Sequence, residues 1–220
     1  MNPCHIPGCT RPTSRWGSLC STHKNRQRRH GHPIQEGVTK TELSRYVTTI
    51  QERKQRNPNS PLWPSIEARW LALAGNCRGI VTDYDNRRAM NRHQRQACPA
   101  IVRVADTVEP DLAAETALAL FVMQEQAPRR FLSDVAFWHQ LARRVRGLTD
   151  VNAGTWFDVN TGKLKRVYRV LPAKTTLTVG NALAEAFGTA GLMLERKETE
   201  DAEMQRKDNE MLAKAVGDLL

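Results

Sequence analysis

Residues 4–23, CHIPGCTRPTSRWGSLCSTH, hold three of the chain's five cysteines and two of its six histidines. Thiols and imidazoles this close together ligate a metal, pair as disulfides, or stay reduced and unbound. Zinc takes four such ligands at tetrahedral corners, commonly as two short-range pairs separated by a loop. Cys4-x4-Cys9 and Cys20-x2-His23 are two such pairs, ten residues apart. His5, His30 and His32 are further donors, but neighbouring residues seldom aim at one metal, which favours Cys4, Cys9, Cys20 and His23. Cys77 and Cys98 enclose His93 and could frame a second metal. Isolated cysteines more often act as small buried hydrophobes, and they are read that way here.

A second chemistry follows the last ligand. Lys24, Arg26, Arg28 and Arg29 lie in KNRQRRHG, expected to be a helix that starts at the Cys20-x2-His23 pair and stops at Gly31. Held rigidly, these guanidiniums would face phosphates, with Arg11 and Arg15 on the preceding loop enlarging the patch. The alternative is a helix without a core that needs charge only for solubility. Lys163, Lys165, Arg166 and Arg169 form another basic run. With the helix Ser133 to Arg146 before it, that run could be the wing of a winged-helix-like arrangement. Arg143, Arg144 and Arg146 are also favoured by the helix dipole alone.

Net charge is +10 over 220 residues. Residues 1–56 carry 11 Lys and Arg against 3 Asp and Glu, whereas residues 175–220 carry 5 against 9. A polyanionic partner would therefore meet the N-terminal end. No Gly-rich phosphate loop and no G-x-S-x-G elbow is present, and Asp83 and Asp85 sit among arginines as ion-paired caps. The expectation is a protein that is not an enzyme. No apolar run of about twenty residues is evident and the N-terminus lacks a secretory h-region, so a soluble, cytoplasmic protein is expected.

The elements that must carry these residues divide sharply. The first thirty residues have almost no aliphatic side chains, and a metal would have to replace a core. From Thr39, TKTE is a capping box, and Leu43, Tyr46, Val47 and Ile50 make one helical stripe. NPNSPLWP reads as a linker or corner. Ser65 is expected to cap a helix bearing Ile66, Trp70, Leu73 and Ala74 that stops at Gly75-Asn76. Residues 83–97 are expected to form a polar helix ending before Pro99, with Asn86, Asn91 and His93 on it. Pro110 opens an apolar helix, and Ser133 caps another whose stripe is Val135, Trp138, Leu141, Ala142 and Val145. Residues 155–171 read as a β-hairpin about Asn160-Thr161-Gly162. A buried helix with Leu177, Leu183 and Phe187 follows, then a charged helical tail from about Glu195 with a sparse apolar stripe.

The N-terminal pattern, carried by Cys4, Gly8, Cys9, Arg11, Pro12, Gly17, Leu19, Cys20, His23, Arg28, Arg29, His30, Gly31 and Pro33, resembles a small zinc module. That module is found at the N-terminus of many phage and bacterial proteins, some assigned as HNH endonucleases. The resemblance covers about thirty of 220 residues. It implies a treble-clef-like knuckle plus helix with one zinc on Cys4, Cys9, Cys20 and His23, and an origin in a phage or mobile element. It does not extend to the nuclease centre, which needs a base histidine and a metal-holding histidine pair on a ββα element; Asn86, Asn91 and His93 have the wrong spacing for it.

The fold class expected is mainly α with a small β-hairpin: a treble-clef-like zinc module at 1–36, a helix and linker at 37–64, a helical core domain at 65–194 and a charged helical tail at 195–220. The function expected is a nucleic-acid-binding regulator or accessory protein, for DNA or RNA, with a structural zinc. A non-catalytic assembly subunit that contacts the other proteins of a larger complex is the alternative, and an HNH-like endonuclease comes third.

Overall fold

The computed structural model describes residues 2–14, 16–149, 154–160, 162–167 and 170–217. Among them are seven α-helices: α1 Ser21–His30, α2 Lys40–Arg56, α3 Leu62–Asp85, α4 Arg92–Thr107, α5 Pro110–Gln126, α6 Asp134–Arg146 and α7 Ala173–Gly217. Strands β1 Gly154–Asp158 and β2 Lys163–Val167 pair antiparallel from Gly154↔Val167 to Asp158↔Lys163.

The core forms where apolar stripes meet. α5 is buried nearly all round, from Ala113 to Met123, and is the post against which α2, α6 and α7 pack. Phe137 of α6 stands edge-on to Phe121 of α5, with centroids 5.0 Å apart, and to Phe131, at 5.2 Å. Trp70 of α3 stacks on Phe187 of α7 at 6.0 Å. A Cβ at Gly180 would come 2.3 Å from the Trp138 carbonyl oxygen, and one at Gly191 2.5 Å from the Phe121 Cβ. Those glycines are the notches that let α7 lie directly on α6 and α5, and ordinary side chains would push the helices apart.

The Thr39 capping box, the Pro110 start and the Ser133 cap form as the residues dictate. Thr39 Oγ1 accepts from the Glu42 N–H while the Thr39 N–H donates to the Glu42 carboxylate. Pro110 is the first residue of α5, and Ser133 Oγ accepts from the Ala136 N–H to start α6.

Other boundaries differ from expectation. α3 begins at Leu62, not after Ser65, with Pro64 in its first turn, where a missing N–H costs nothing. It runs straight through Gly75-Asn76, because Cys77, Ile80 and Val81 continue the stripe of Ile66, Trp70 and Ala74 into the core. Packing there outweighs the ~1 kcal/mol that glycine costs inside a helix. The polar helix expected at 83–97 is two helix ends. α3 stops at Asp85, Asn91 caps α4 through the His93 N–H, and α4 passes through Pro99 to bury Ala97, Cys98, Ile101 and Val104. In α6 the inward stripe is Ala136, Phe137, Leu141, Ala142 and Val145, while Val135 is exposed and Trp138 only partly covered.

The final helix is continuous across residue 194. Arg53 of α2, 8% exposed, reaches both Glu198 and Asp201 on it and ties the start of the acidic segment to the body. Within Ala173–Leu212, α7 is long and apolar enough to cross a membrane by length and composition, which sequence reading had missed. This is weak evidence for a span, because Val179, Leu183, Phe187 and Leu194 face the protein core and core helices satisfy the same criterion.

Candidate metal centre and basic surface

The loops before α1 are short and cross-tied. Gly8 has φ +77°, the left-handed turn that lets the Cys9 N–H donate to the Ile6 carbonyl. A bridge between Pro3 and Pro12 and the bond from the Thr13 N–H to the Asn2 carbonyl close the first loop, and the His5 N–H donates to Ser18. Cys20 is the N-cap of α1, so His23 stands one turn along and faces the same point.

Cys4, Cys9, Cys20 and His23 converge, with their four ligand atoms all within 4.8 Å of one another. His23 Nδ1 lies 3.4 Å from both Cys4 Sγ and Cys20 Sγ, and Cys9 Sγ lies 3.9 Å from Cys20 Sγ. A tetrahedral site of three sulfurs and one nitrogen, with ordinary zinc bond lengths, has edges of about 3.8 Å between sulfurs and about 3.6 Å from sulfur to nitrogen. The donor set and its spacing fit one metal ion. Burial resists the Cys4 thiolate, but N–H donation from Cys20 and Ile6, with His23 and Cys20 side chains adding, brings its pKa down to about 6. At Cys9 the Arg11 N–H lowers the pKa, but burial and the sulfurs of Cys20 and Cys4 outweigh it and leave the thiol raised. His5 is exposed, and His30 and His32 lie outside the cage.

α1 has no buried residue, so packing along its length does not hold it. Its far end is docked instead. Gly31 takes φ +80° as the C-cap, and a Cβ there would come 2.6 Å from the Val135 carbonyl oxygen of α6. Gln140 of α6 accepts from the Val38 N–H at 3.0 Å and donates to His30 Nδ1 at 3.1 Å. His30 is therefore held neutral at Nδ1. Partial burial, with Arg143, Arg29 and Arg26 nearby, lowers its pKa to about 4. His139 hydrogen-bonds the Arg29 carbonyl, yet burial, with Arg143 adding, keeps its pKa below the ordinary value. Gln35 and Arg130 bolt the following segment to the 128–132 turn: Gln35 bonds both Arg130 and Leu132, and Arg130 pairs with Glu42.

The cationic residues fall into three groups. Lys24, Arg28 and Arg29 are exposed on α1, Arg26 is half-buried, and Arg11 donates to Thr22 Oγ1 across the loop. Arg143 of α6 approaches Arg29; partial desolvation first, then Arg29 and Arg144, push its guanidinium below its usual range. Arg15 and Arg169 lie outside the described residues, as do the side chains of Lys163, Lys165 and Arg166 on β2. The wing of the winged-helix-like reading therefore falls on residues whose side chains lie outside the description. Seven of the thirteen residues of α6, His139 and Gln140 among them, are buried against neighbouring helices, while Asp134, Val135 and Arg143 are exposed. Sequence reading left Arg143 as a dipole-favoured cation and Arg92 as one arginine of the polar helix expected at 83–97, because the α1 residues beside them lie far away in the chain.

Cys77 and Cys98 meet across α3 and α4, both buried. Their mutual contact, with burial adding, raises the Cys77 thiol, while the same contact outweighs burial and lowers Cys98. His93 turns away to Thr175, and no third ligand joins the pair among the described residues. Asn86 and Asn91 cap different helices, and Asp83 pairs with Arg88.

No protein-family model, no curated protein and no solved structure matches the chain. The likeness to the small zinc module therefore rests on its own residues.

Proposed function

We propose that the chain is a zinc-stabilised nucleic-acid-binding protein of regulatory or accessory type, and not an enzyme. The metal on Cys4, Cys9, Cys20 and His23 is a zinc ion in a treble-clef-like knuckle, and its role is structural: all four positions are filled by protein, leaving none for water or substrate. The observation that carries the nucleic-acid reading is the docking of α1 against α6, which puts the like-charged Arg29 and Arg143 on neighbouring helices, both exposed and neither ion-paired to a carboxylate among the described residues. Phosphates would relieve that repulsion and release counterions on binding. Arg26 and Arg28 extend the surface along α1.

The test is fluorescence anisotropy with duplex and single-stranded DNA and RNA probes from low to high salt. Affinity should fall steeply with salt, and R26E/R28E/R29E should abolish most of it. Salt-insensitive binding, or none at low salt, sinks the reading.

An assembly subunit is the second reading. Its support is the exposed apolar side chains of Trp156, Phe157 and Leu164 on the paired strands and of Met204, Met211 and Leu212 on α7. Such clusters mark protein contacts. Size-exclusion light scattering, with and without candidate polyanions, separates the two.

A further inference from the structure

Away from the metal cage, α1, α4 and α7 enclose a cleft of about 520 Å3. Arg28 of α1, Arg92 of α4 and Lys174 of α7 line it, and none has an ion-pair partner among the described residues. At the cleft Thr175, fully buried, donates its one hydroxyl proton to Gln96 Oε1 at 2.9 Å. Its 3.4 Å contact with His93 Nδ1 must then be donated by the ring. His93 is accordingly the Nδ1–H tautomer, with Nε2 as its other polar atom. With its oxygen committed to Thr175, the Gln96 amide has its NH2 donors left for the cleft it lines. Three cations from three helices around a polar floor make a receptor for an oxyanion of high charge. The volume exceeds that of one phosphate, and Val170, Leu171 and Pro172 supply an apolar wall for an attached group.

We infer that this cleft binds the phosphate of a nucleotide unit, with Arg28, Arg92 and Lys174 neutralising its charge and Gln96 donating to its oxygens. The inference deepens the nucleic-acid reading and rests on it for the source of that phosphate. Arg28 lies on both surfaces, so the cleft also fixes how a bound strand would leave α1: toward the N-terminal turns of α4 and α7.

The experiment follows the His93 ring nitrogens by 15N NMR in the metal-loaded full chain, during titration with inorganic phosphate, a mononucleotide, and oligonucleotides with and without a terminal phosphate. The free protein should show the Nδ1–H tautomer. Phosphate and mononucleotide should shift the His93 signals saturably. R92E/K174E, both on exposed side chains, should weaken that binding about tenfold or more while thermal melting is unchanged. Gln96→Leu should weaken it less. Absence of a saturable shift at His93, or parental affinity in R92E/K174E, overturns the inference. If oligonucleotides still bind with a steep salt dependence in that event, the α1 surface stands without the cleft. If the mononucleotide binds and no oligonucleotide does, the cleft stands as a small-nucleotide site and the strand-binding reading falls.

Discussion

α1 and α6 are helices of ten and thirteen residues whose last turns both carry three basic residues: Arg28, Arg29 and His30 on one, Arg143, Arg144 and Arg146 on the other. They are held in opposite ways. α6 buries seven residues against several neighbouring helices, whereas α1 buries none and depends on the ligand cage at its start and on Gly31 and His30 at its end. Burial spreads stabilisation over many weak contacts; ligation concentrates it in a few strong ones. The comparison teaches why cations gather where these helices meet. A core helix can tolerate a charged end only at the surface, and a coreless helix can offer charge along its whole length, so the polar end of one is the docking point for the other.

Removing the cage should have the largest effect and the most local one. Structural zinc contributes ~10–16 kcal/mol of apparent binding free energy to small modules. In Cys9→Ser, or after chelation, amide exchange protection should vanish across residues 2–31 while α5, α6 and α7 keep theirs. Native mass spectrometry should find one zinc per chain before and none after. Loss of protection throughout would show that the two regions are not anchored independently.

Cutting into α6 should do the reverse. Phe137→Ala removes the ring that two other phenylalanines pack against and should cost about 3–5 kcal/mol of global stability. A denaturant titration read by far-ultraviolet circular dichroism should shift its whole transition to a lower midpoint, with the metal still bound in the folded fraction.

The joint between them is next. Gly31→Ala forces a side chain onto a left-handed backbone and against the Val135 carbonyl, and should cost about 1–3 kcal/mol. Gln140→Leu strands the buried Val38 N–H and should cost a similar ~1–3 kcal/mol. Metal stoichiometry should be unchanged in both, while exchange at residues 31–38 speeds up. If either variant leaves exchange at 31–38 untouched, the docking described for α1 is not what holds it.

The smallest effect is in pH. His30 has a folded pKa of about 4, below its ordinary 6.5, so the unfolded chain binds the proton more readily. Its contribution is then intact above pH 6.5 and is lost as pH falls toward 4. Protonation also removes the acceptor for Gln140. The slope of stability against pH between 6.5 and 4 should become shallower in His30→Gln; an unchanged slope would assign the pH dependence to other groups.

How much of this was legible beforehand depends on the range of the interaction. The Thr39 capping box, the Pro110 start, the Ser133 cap and the ligand spacing are written within a few residues, and local sterics suffice to read them. The continuation of α3 through Gly75 and of α4 through Pro99 ran against local propensity. Cys77, Ile80, Ile101 and Val104 had apolar partners waiting on other helices, and burial outweighed the breakers.

The same division runs through the candidate site. Four ligands at their spacing and a basic run behind them follow from residue types alone, because a metal needs donors of the right softness and the chain between them is short. That Gln140 would join Val38 to His30, that Arg143 would face Arg29, and that Arg28, Arg92 and Lys174 would share one cleft were decided only in three dimensions. Those residues lie tens of positions apart or more, no local rule relates them, and only the packing of α5, α6 and α7 brings their helices together.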